Sequence, residues 1–262
     1  MRRTDAVEAS RSFHLRRVST LQPLRWLARG ADDLRRRPLP GLLHGLVVAL
    51  FAATLLWLAR QQFWLLAGAF SGFLLVAPIV VTGLYAISRA HERGEAAGLA
   101  TALRAWWPRD RRLVVFGLLL ALAGTGWVLT SASLITGFAP APVRNPQDFL
   151  RIVVLDTDSL LFETWLALGG VLAAPVFASS VVAIPLLLDR QVGVLTAVLT
   201  SWRVVLAHPA PLALWAALLI GLTLLGMAAA LVGLIVVVPW LAHASWHAYR
   251  DLVDASALPE AG

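Results

Sequence analysis

The sequence predicts an all-α fold: a polytopic membrane helical bundle of six transmembrane helices, arranged as three hairpins, each preceded by a cytoplasmic amphipathic helix. Three observations carry this expectation. Five stretches, 38–59, 61–88, 113–143, 164–188 and 204–249, contain no Asp, Glu, Lys or Arg, and about 18 apolar residues suffice to cross the ~30 Å hydrocarbon core as a helix. Hydrophobic residues make up 59% of the chain and charged residues only 14%, against roughly a quarter charged in soluble domains. Finally, the basic residues gather in alternate segments between the apolar runs.

Residues 1–20 are basic and polar, with too little apolar surface to pack, and read as a disordered cytoplasmic tail. The first apolar stretch starts too late and runs too long for a cleavable leader, so it reads as an uncleaved signal anchor. The spans fall at about 39–59, 63–88, 113–137, 160–188, 209–228 and 231–249. The last charge-free run is too long for one crossing and divides near Gly226–Gly233. Arg60-Gln61-Gln62 permits only an antiparallel hairpin between the first two spans. The one sizeable external loop, about 138–159, is rich in Pro and Asp, and residues 254–262 form a short cytoplasmic tail. Residues 21–253 read as a single integral membrane domain.

Orientation follows from charge. All 22 basic residues are Arg, and 19 of them fall on the side that carries both termini, with only Arg60, Arg144 and Arg151 on the other. The positive-inside rule then puts both termini in the cytoplasm, and a bacterial inner membrane is the expected location. The net charge of +7 needs no nucleic acid to explain it. The expected partners are the bilayer and its anionic headgroups, with a homo-oligomer or a second membrane protein left open. Having no cysteine, the chain contains no disulfide, thiolate metal site or cysteine nucleophile.

Three cytoplasmic segments show helical periodicity: 21–36 with Leu24, Leu27, Ala28, Ala31 and Leu34; 95–107 with Ala96, Leu99, Ala100, Leu103 and Trp107; and 193–206 with Leu195, Val198, Leu199, Trp202, Val205 and Leu206. An apolar stripe with Arg opposite and Trp at its edge describes a helix lying among headgroups. In the third segment that reading puts Thr200 and Arg203 on the solvated face. The segments echo one another, as Leu103/Trp106 and Leu199/Trp202 show, and so do Val76-Ala77-Pro78 and Val237-Val238-Pro239. They read as three parallel repeats.

His243 and His247 are the sharpest candidates for chemistry. Spaced by four, they share one helix face and present two imidazoles in the manner of metal or haem ligands. Their place near the cytoplasmic boundary and the scarcity of further ligands (only His44, His91 and His208 near that face) favour packing or headgroup contact instead. No cofactor and no metal are therefore expected. Pro78, Pro175, Pro185 and Pro239 interrupt helical hydrogen bonding and are candidate kinks or gates, with Ser71, Thr82, Ser179 and Ser180 available to satisfy freed backbone groups. The commoner reading is a packing kink. The spans hold essentially no ionisable residue, which argues against proton coupling. The external Asp156-x-Asp158 pair is a poor cation site with only two carboxylates. No hydrolase elbow, metalloprotease or phosphate-loop motif occurs, so no catalytic residue is assigned.

The segment Pro239-Trp240-Leu241-Ala242-His243-Ala244-Ser245-Trp246-His247-Ala248-Tyr249-Arg250-Asp251-Leu252 resembles a bacterial family of predicted integral membrane proteins, domain of unknown function 2189. So do Pro23-Leu24-Arg25-Trp26-Leu27, Gly83-Leu84-Tyr85-Ala86-Ile87-Ser88-Arg89 and Pro185-Leu186-Leu187-Leu188-Asp189-Arg190, giving a likeness from about residue 20 to 253. It implies a polytopic inner-membrane protein and assigns no catalytic residue. Two functions follow: a non-enzymatic protein that moves, shelters or organises small molecules or lipids, or a haem- or metal-binding redox component using His243 and His247.

Overall fold

The computed structural model describes residues 3–58, 80–106, 111–256 and 258–260. The fold is all-α. In chain order it has α1 (Arg3–Ser12), the two-residue strand β1 (His14–Leu15), α2 (Gln22–Arg36), α3 (Pro38–Leu58), α4 (80–92), α5 (Leu99–Trp106) and α6 (Arg111–Phe138). Then follow the short α7 (Pro146–Phe149) with a π-helical turn at Leu150–Val154, α8 (Leu161–Ser180), α9 (Ala183–Asp189), α10 (Val194–Ala207), α11 (Pro209–Ala228), α12 (Leu234–Leu252) and β2 (Val253–Asp254).

Four stretches are long and apolar enough to cross a membrane: α3, α6, α11 and Leu161–Asp189, which joins α8 and α9. Most of the second expected span, with Pro78 and Ser71, lies outside the described residues; only 80–88 of it are seen, in α4. The sixth differs for a chemical reason. α12 begins with Leu234-Ile235-Val236-Val237-Val238, but its second half carries His243, Ser245, His247, Arg250 and Asp251 and is buried in protein. α11 and α12 are joined by a turn at 229–233, inside the interval expected for this break. Ala230 and Leu231 adopt φ of 52° and 67° there, a left-handed conformation costing non-glycine residues about 1 kcal/mol each.

The chain divides into two compact units. The first comprises 1–49, 78–116 and 177–262, and the second 50–77 and 117–176. In the second, a small core of Ile135, Val153 and Leu161 is flanked by Trp165. That indole packs on Trp127, Phe149 and Phe162 and donates its Nε1–H to Ser131 Oγ at 2.7 Å. Asn145 caps α7 by accepting the Asp148 N–H at 2.8 Å. Asp156 is engaged locally, accepting from Asp158 N–H and Ser159 Oγ.

In the first unit α12 is the central element, with α2 packed along it. Pro23 sits in the first turn of α2, where no N–H is needed, and Trp26, Leu27, Gly30 and Asp33 form its buried face. This face is rotated from the expected stripe: Leu27 goes inward while Leu24 and Ala28 stay exposed. Gly30 permits the close approach, since a Cβ there would stand 2.6 Å from the Ala244 backbone nitrogen. α3 crosses α12 through Gly41 and Gly45, a small-xxx-small spacing.

Two expectations change in this unit. Residues 3–12, expected within a disordered tail, form α1, because Ala6, Ser10 and Phe13 recur on one helical side and are buried. α1 docks on α10, where Arg203 donates to the Ser10 carbonyl. α10 itself exposes Leu195, Trp202 and Leu206, but Thr196, Thr200 and Ser201 are buried rather than solvated. β1 then pairs antiparallel with β2, tying the first residues to the last.

Candidate functional site

The polar residues of the first unit converge on Asp33. Its Oδ2 accepts from Ser88 Oγ at 2.6 Å and lies 2.9 Å from His247 Nε2, while Oδ1 is 3.4 Å from His91 Nδ1. Ser88 Oγ is also 2.7 Å from His243 Nδ1. Asp33 follows Gly30 on the buried face of α2. His243 and His247 share a face of α12, as their spacing requires. Ser88, His91 and Glu92 come from the end of α4. Gly94, with φ of 67°, then terminates that helix in the left-handed conformation glycine favours.

Hydrogen-bond roles follow from the partners. A carboxylate only accepts, so the Ser88 hydroxyl donates to Asp33 and its lone pair accepts Nδ1–H from His243. Nε2 of neutral His243 is then a bare acceptor, buried and without a hydrogen-bond partner among the described residues. His247 donates Nε2–H to Asp33, and its Nδ1 lies 3.7 Å from Glu92 Oε1. Burial pushes the Asp33 carboxyl up, but hydrogen bonds from His247 and Ser88 outweigh it and hold the group at about 2, below its ordinary 3.8.

A second cluster adjoins the first. Arg250 Nε is 3.1 Å from Glu92 and its guanidinium reaches Asp189 at 3.8 Å. Asp189 also accepts from Tyr249 OH at 2.8 Å and pairs with Arg190 at 3.1 Å. Arg112 donates to the Arg190 and Val192 carbonyls. At the far end of α2, Asp251 accepts from Gln22 at 2.8 Å, Trp26 Nε1 at 2.9 Å and Arg29. Burial opposes its ionisation, yet the donors from Gln22 and Arg29 keep its carboxyl below the ordinary range.

His243 and His247 are thus brought together with residues that periodicity did not mark: Asp33, Ser88, Glu92 and Asp189. The imidazoles are committed to Ser88 and Asp33, and among the described residues no group of three or more His, Cys, Asp or Glu is placed to hold a metal ion. Pro239 lies within α12, where it cannot donate to the Ile235 carbonyl. Pro185 stands in the first turn of α9, after a break at 181–182 whose Val182 N–H is satisfied by Ser201 Oγ at 3.2 Å. Pro175 lies inside α8 without ending it.

Residues 64–189 match a family model described as predicted integral membrane protein, domain of unknown function 2189. The match is narrower than the resemblance from residue 20 to 253. It contains Ser88, His91, Glu92 and Asp189, whereas Asp33, His243 and His247 lie beyond it. No curated protein and no solved structure matches the chain.

Proposed function

We propose that this chain, which belongs to the predicted integral membrane protein family matched over 64–189, crosses a bacterial inner membrane six times with both termini in the cytoplasm. It works without catalysis, moving, sheltering or organising small molecules or lipids between its hairpins. One observation supports the non-enzymatic reading above others. Ser88 and His243 are fully buried, and the hydroxyl donates to Asp33 while accepting from the imidazole. An activated nucleophile needs the opposite polarity, with its proton aimed at the base.

The exposed apolar side chains of α2, α5 and α10 (Leu24, Leu99, Leu103, Leu195, Trp202 and Leu206) support helices seated at a bilayer surface. Arg17, Arg25, Arg36 and Arg37 are exposed beside them and suit anionic headgroups.

Reporter fusions after residues 62 and 145 are expected to report the periplasm, and fusions after residues 100 and 258 the cytoplasm. A periplasmic signal at residue 258 overturns the six-span arrangement. Mass spectrometry of lipids retained by the purified protein is expected to show anionic species, reduced in a variant with Arg25, Arg36 and Arg37 all changed to Gln. The bare Nε2 of His243 favours the second reading, haem or metal ligation by His243 and His247. A Soret band in purified protein that vanishes in His243→Ala would establish it instead.

A further inference from the structure

We propose that Arg93, Arg190 and Gln191 form a phosphate-binding site for the headgroup of an anionic lipid, and that the Glu260 carboxylate holds this site when no such lipid is present. The site rests on the surface seating of α5 and α10 proposed above and names one headgroup contact within it.

The segment after α12 turns back toward the loop between α9 and α10. Beyond β2, the Leu258 N–H donates to the Ala255 carbonyl and residues 258–260 then lie along Arg190 and Gln191. The Gln191 N–H donates to the Pro259 carbonyl at 3.1 Å, Gln191 Nε2 to the Glu260 carbonyl at 3.0 Å and Arg190 Nη1 to the Leu258 carbonyl at 2.8 Å. These contacts set the place of the Glu260 side chain. Its Oε1 accepts from Arg93 Nη2 at 2.6 Å and lies 3.9 Å from Arg190 Nη1. One carboxylate oxygen marks a point shared by two guanidiniums from separate segments.

Two features set this point apart from an ordinary surface ion pair. Arg190 is 8% exposed and is oriented from behind: Asp189 holds its Nε at 3.1 Å, and Tyr249 OH holds Asp189 at 2.8 Å. The Nη1 edge is therefore aimed at the site by protein contacts that no ligand has to supply. Arg93, for its part, pairs with no carboxylate but Glu260 among the described residues. A phosphate brings more oxygens and up to two negative charges, which two guanidiniums and an amide accommodate better than a lone carboxylate does. Glu260 is half-exposed, so a competing anion can reach its place.

Position selects the source of the phosphate. Arg93 lies shortly before the exposed Leu99 and Leu103 of α5, and Gln191 shortly before the exposed Leu195 of α10. The site stands where both helices begin, at the level where seating in a bilayer surface brings lipid phosphates.

The test is native mass spectrometry of the full chain in detergent, titrated with phosphatidic acid. Glu260→Gln is expected to bind this lipid about two- to fivefold more tightly, the span of an exposed ion pair. Arg93→Gln is expected to bind it more weakly, and the double variant no more tightly than Arg93→Gln alone. Glu8→Gln removes the same charge from the exposed side of α1 and is expected to change nothing. The chain has no cysteine, so a spin label at Pro259→Cys reports the displaced segment. It should move slowly in phosphatidylcholine nanodiscs and faster once phosphatidic acid is included, while inorganic phosphate at matched ionic strength leaves it slow. Equal affinity in the parent and Glu260→Gln, an equal gain in Glu8→Gln, or release by inorganic phosphate alone overturns the proposal. Oxygen access at a label on Leu195 separates the two readings. Lipid contact there without a gain in Glu260→Gln overturns the phosphate site alone, and water contact there overturns the surface seating and the site with it.

Discussion

Gly45 of α3 lies directly on the backbone carbonyl of Ile235 in α12: a Cβ built on Gly45 would stand 2.1 Å from that oxygen. Pro239, four residues further on, has no N–H to give this carbonyl. The missing helical bond and the missing side chain therefore occur at one place. Gly41 repeats the device one turn earlier, against the Pro239 ring at 3.2 Å. The proline here marks a close crossing between helices.

Gly45→Ala is expected to push α3 off α12, with a cost at or above the usual 1–3 kcal/mol, roughly, of overpacking. Gly30→Ala is expected to act similarly on α2, because the obstructing atom is the Ala244 backbone nitrogen at 2.6 Å. Gly98→Ala, with nothing near its would-be Cβ, is the control. Thermal unfolding in detergent checks all three; an unchanged midpoint in Gly45→Ala would contradict the crossing.

The long helices were legible in the sequence because hydropathy is a local property. The charge-free runs returned as α3, α6, α8 with α9, and α11, and the break after α11 fell within Gly226–Gly233. The site was half legible. His243 and His247 could be seen as a pair because four residues make one helical turn. Their partners could not, since 55 residues separate Asp33 from Ser88, 155 separate Ser88 from His243 and 214 separate Asp33 from His247. An aspartate among arginines on the polar side of a short helix reads as solvated. Its burial follows from Gly30, whose close approach to α12 no periodicity reports.

Asp251 anchors the start of α2 by accepting from Gln22, Trp26 and Arg29 at once. Trp26 is fully buried and meets Trp215 edge to face at 5.6 Å. Asp251→Ala leaves its indole N–H without an acceptor, which costs about 1–3 kcal/mol. Asp251→Asn, which keeps an oxygen acceptor, is expected to lose less. Tryptophan fluorescence should shift to the red in the alanine variant as Trp26 loosens; an unmoved spectrum with unchanged stability would show that the anchor is dispensable.

On α10 the small polar residues are inward and the large apolar ones outward. A spin label at Leu206, which is 73% exposed, is expected to collide more with oxygen than with a water-soluble nickel chelate, as lipid contact requires. Labels at Leu195 and Trp202 should behave alike, and a label at Thr200 should meet neither reagent. Greater access to the nickel chelate at all three outward positions would place this face in water.

Acid should weaken the first unit through Asp33. Its carboxyl ionises at about 2 in the folded protein against an ordinary 3.8, so the folded state prefers the ionised form. The stabilisation is complete above about pH 4, declines as pH falls from there, and is lost once pH passes below about 2. A shift of this size corresponds to about 2 kcal/mol. Asp33→Asn removes the titration and keeps the side chain's shape, so its stability should depend less on pH between about 4 and 2 than that of the parent. The amide also brings an N–H₂ donor into a position that only accepts, so the variant should be weaker than the parent at neutral pH. Chemical unfolding at a series of pH values measures both effects, and parallel curves for the two proteins across the acid range would remove Asp33 as the source of the acid limb.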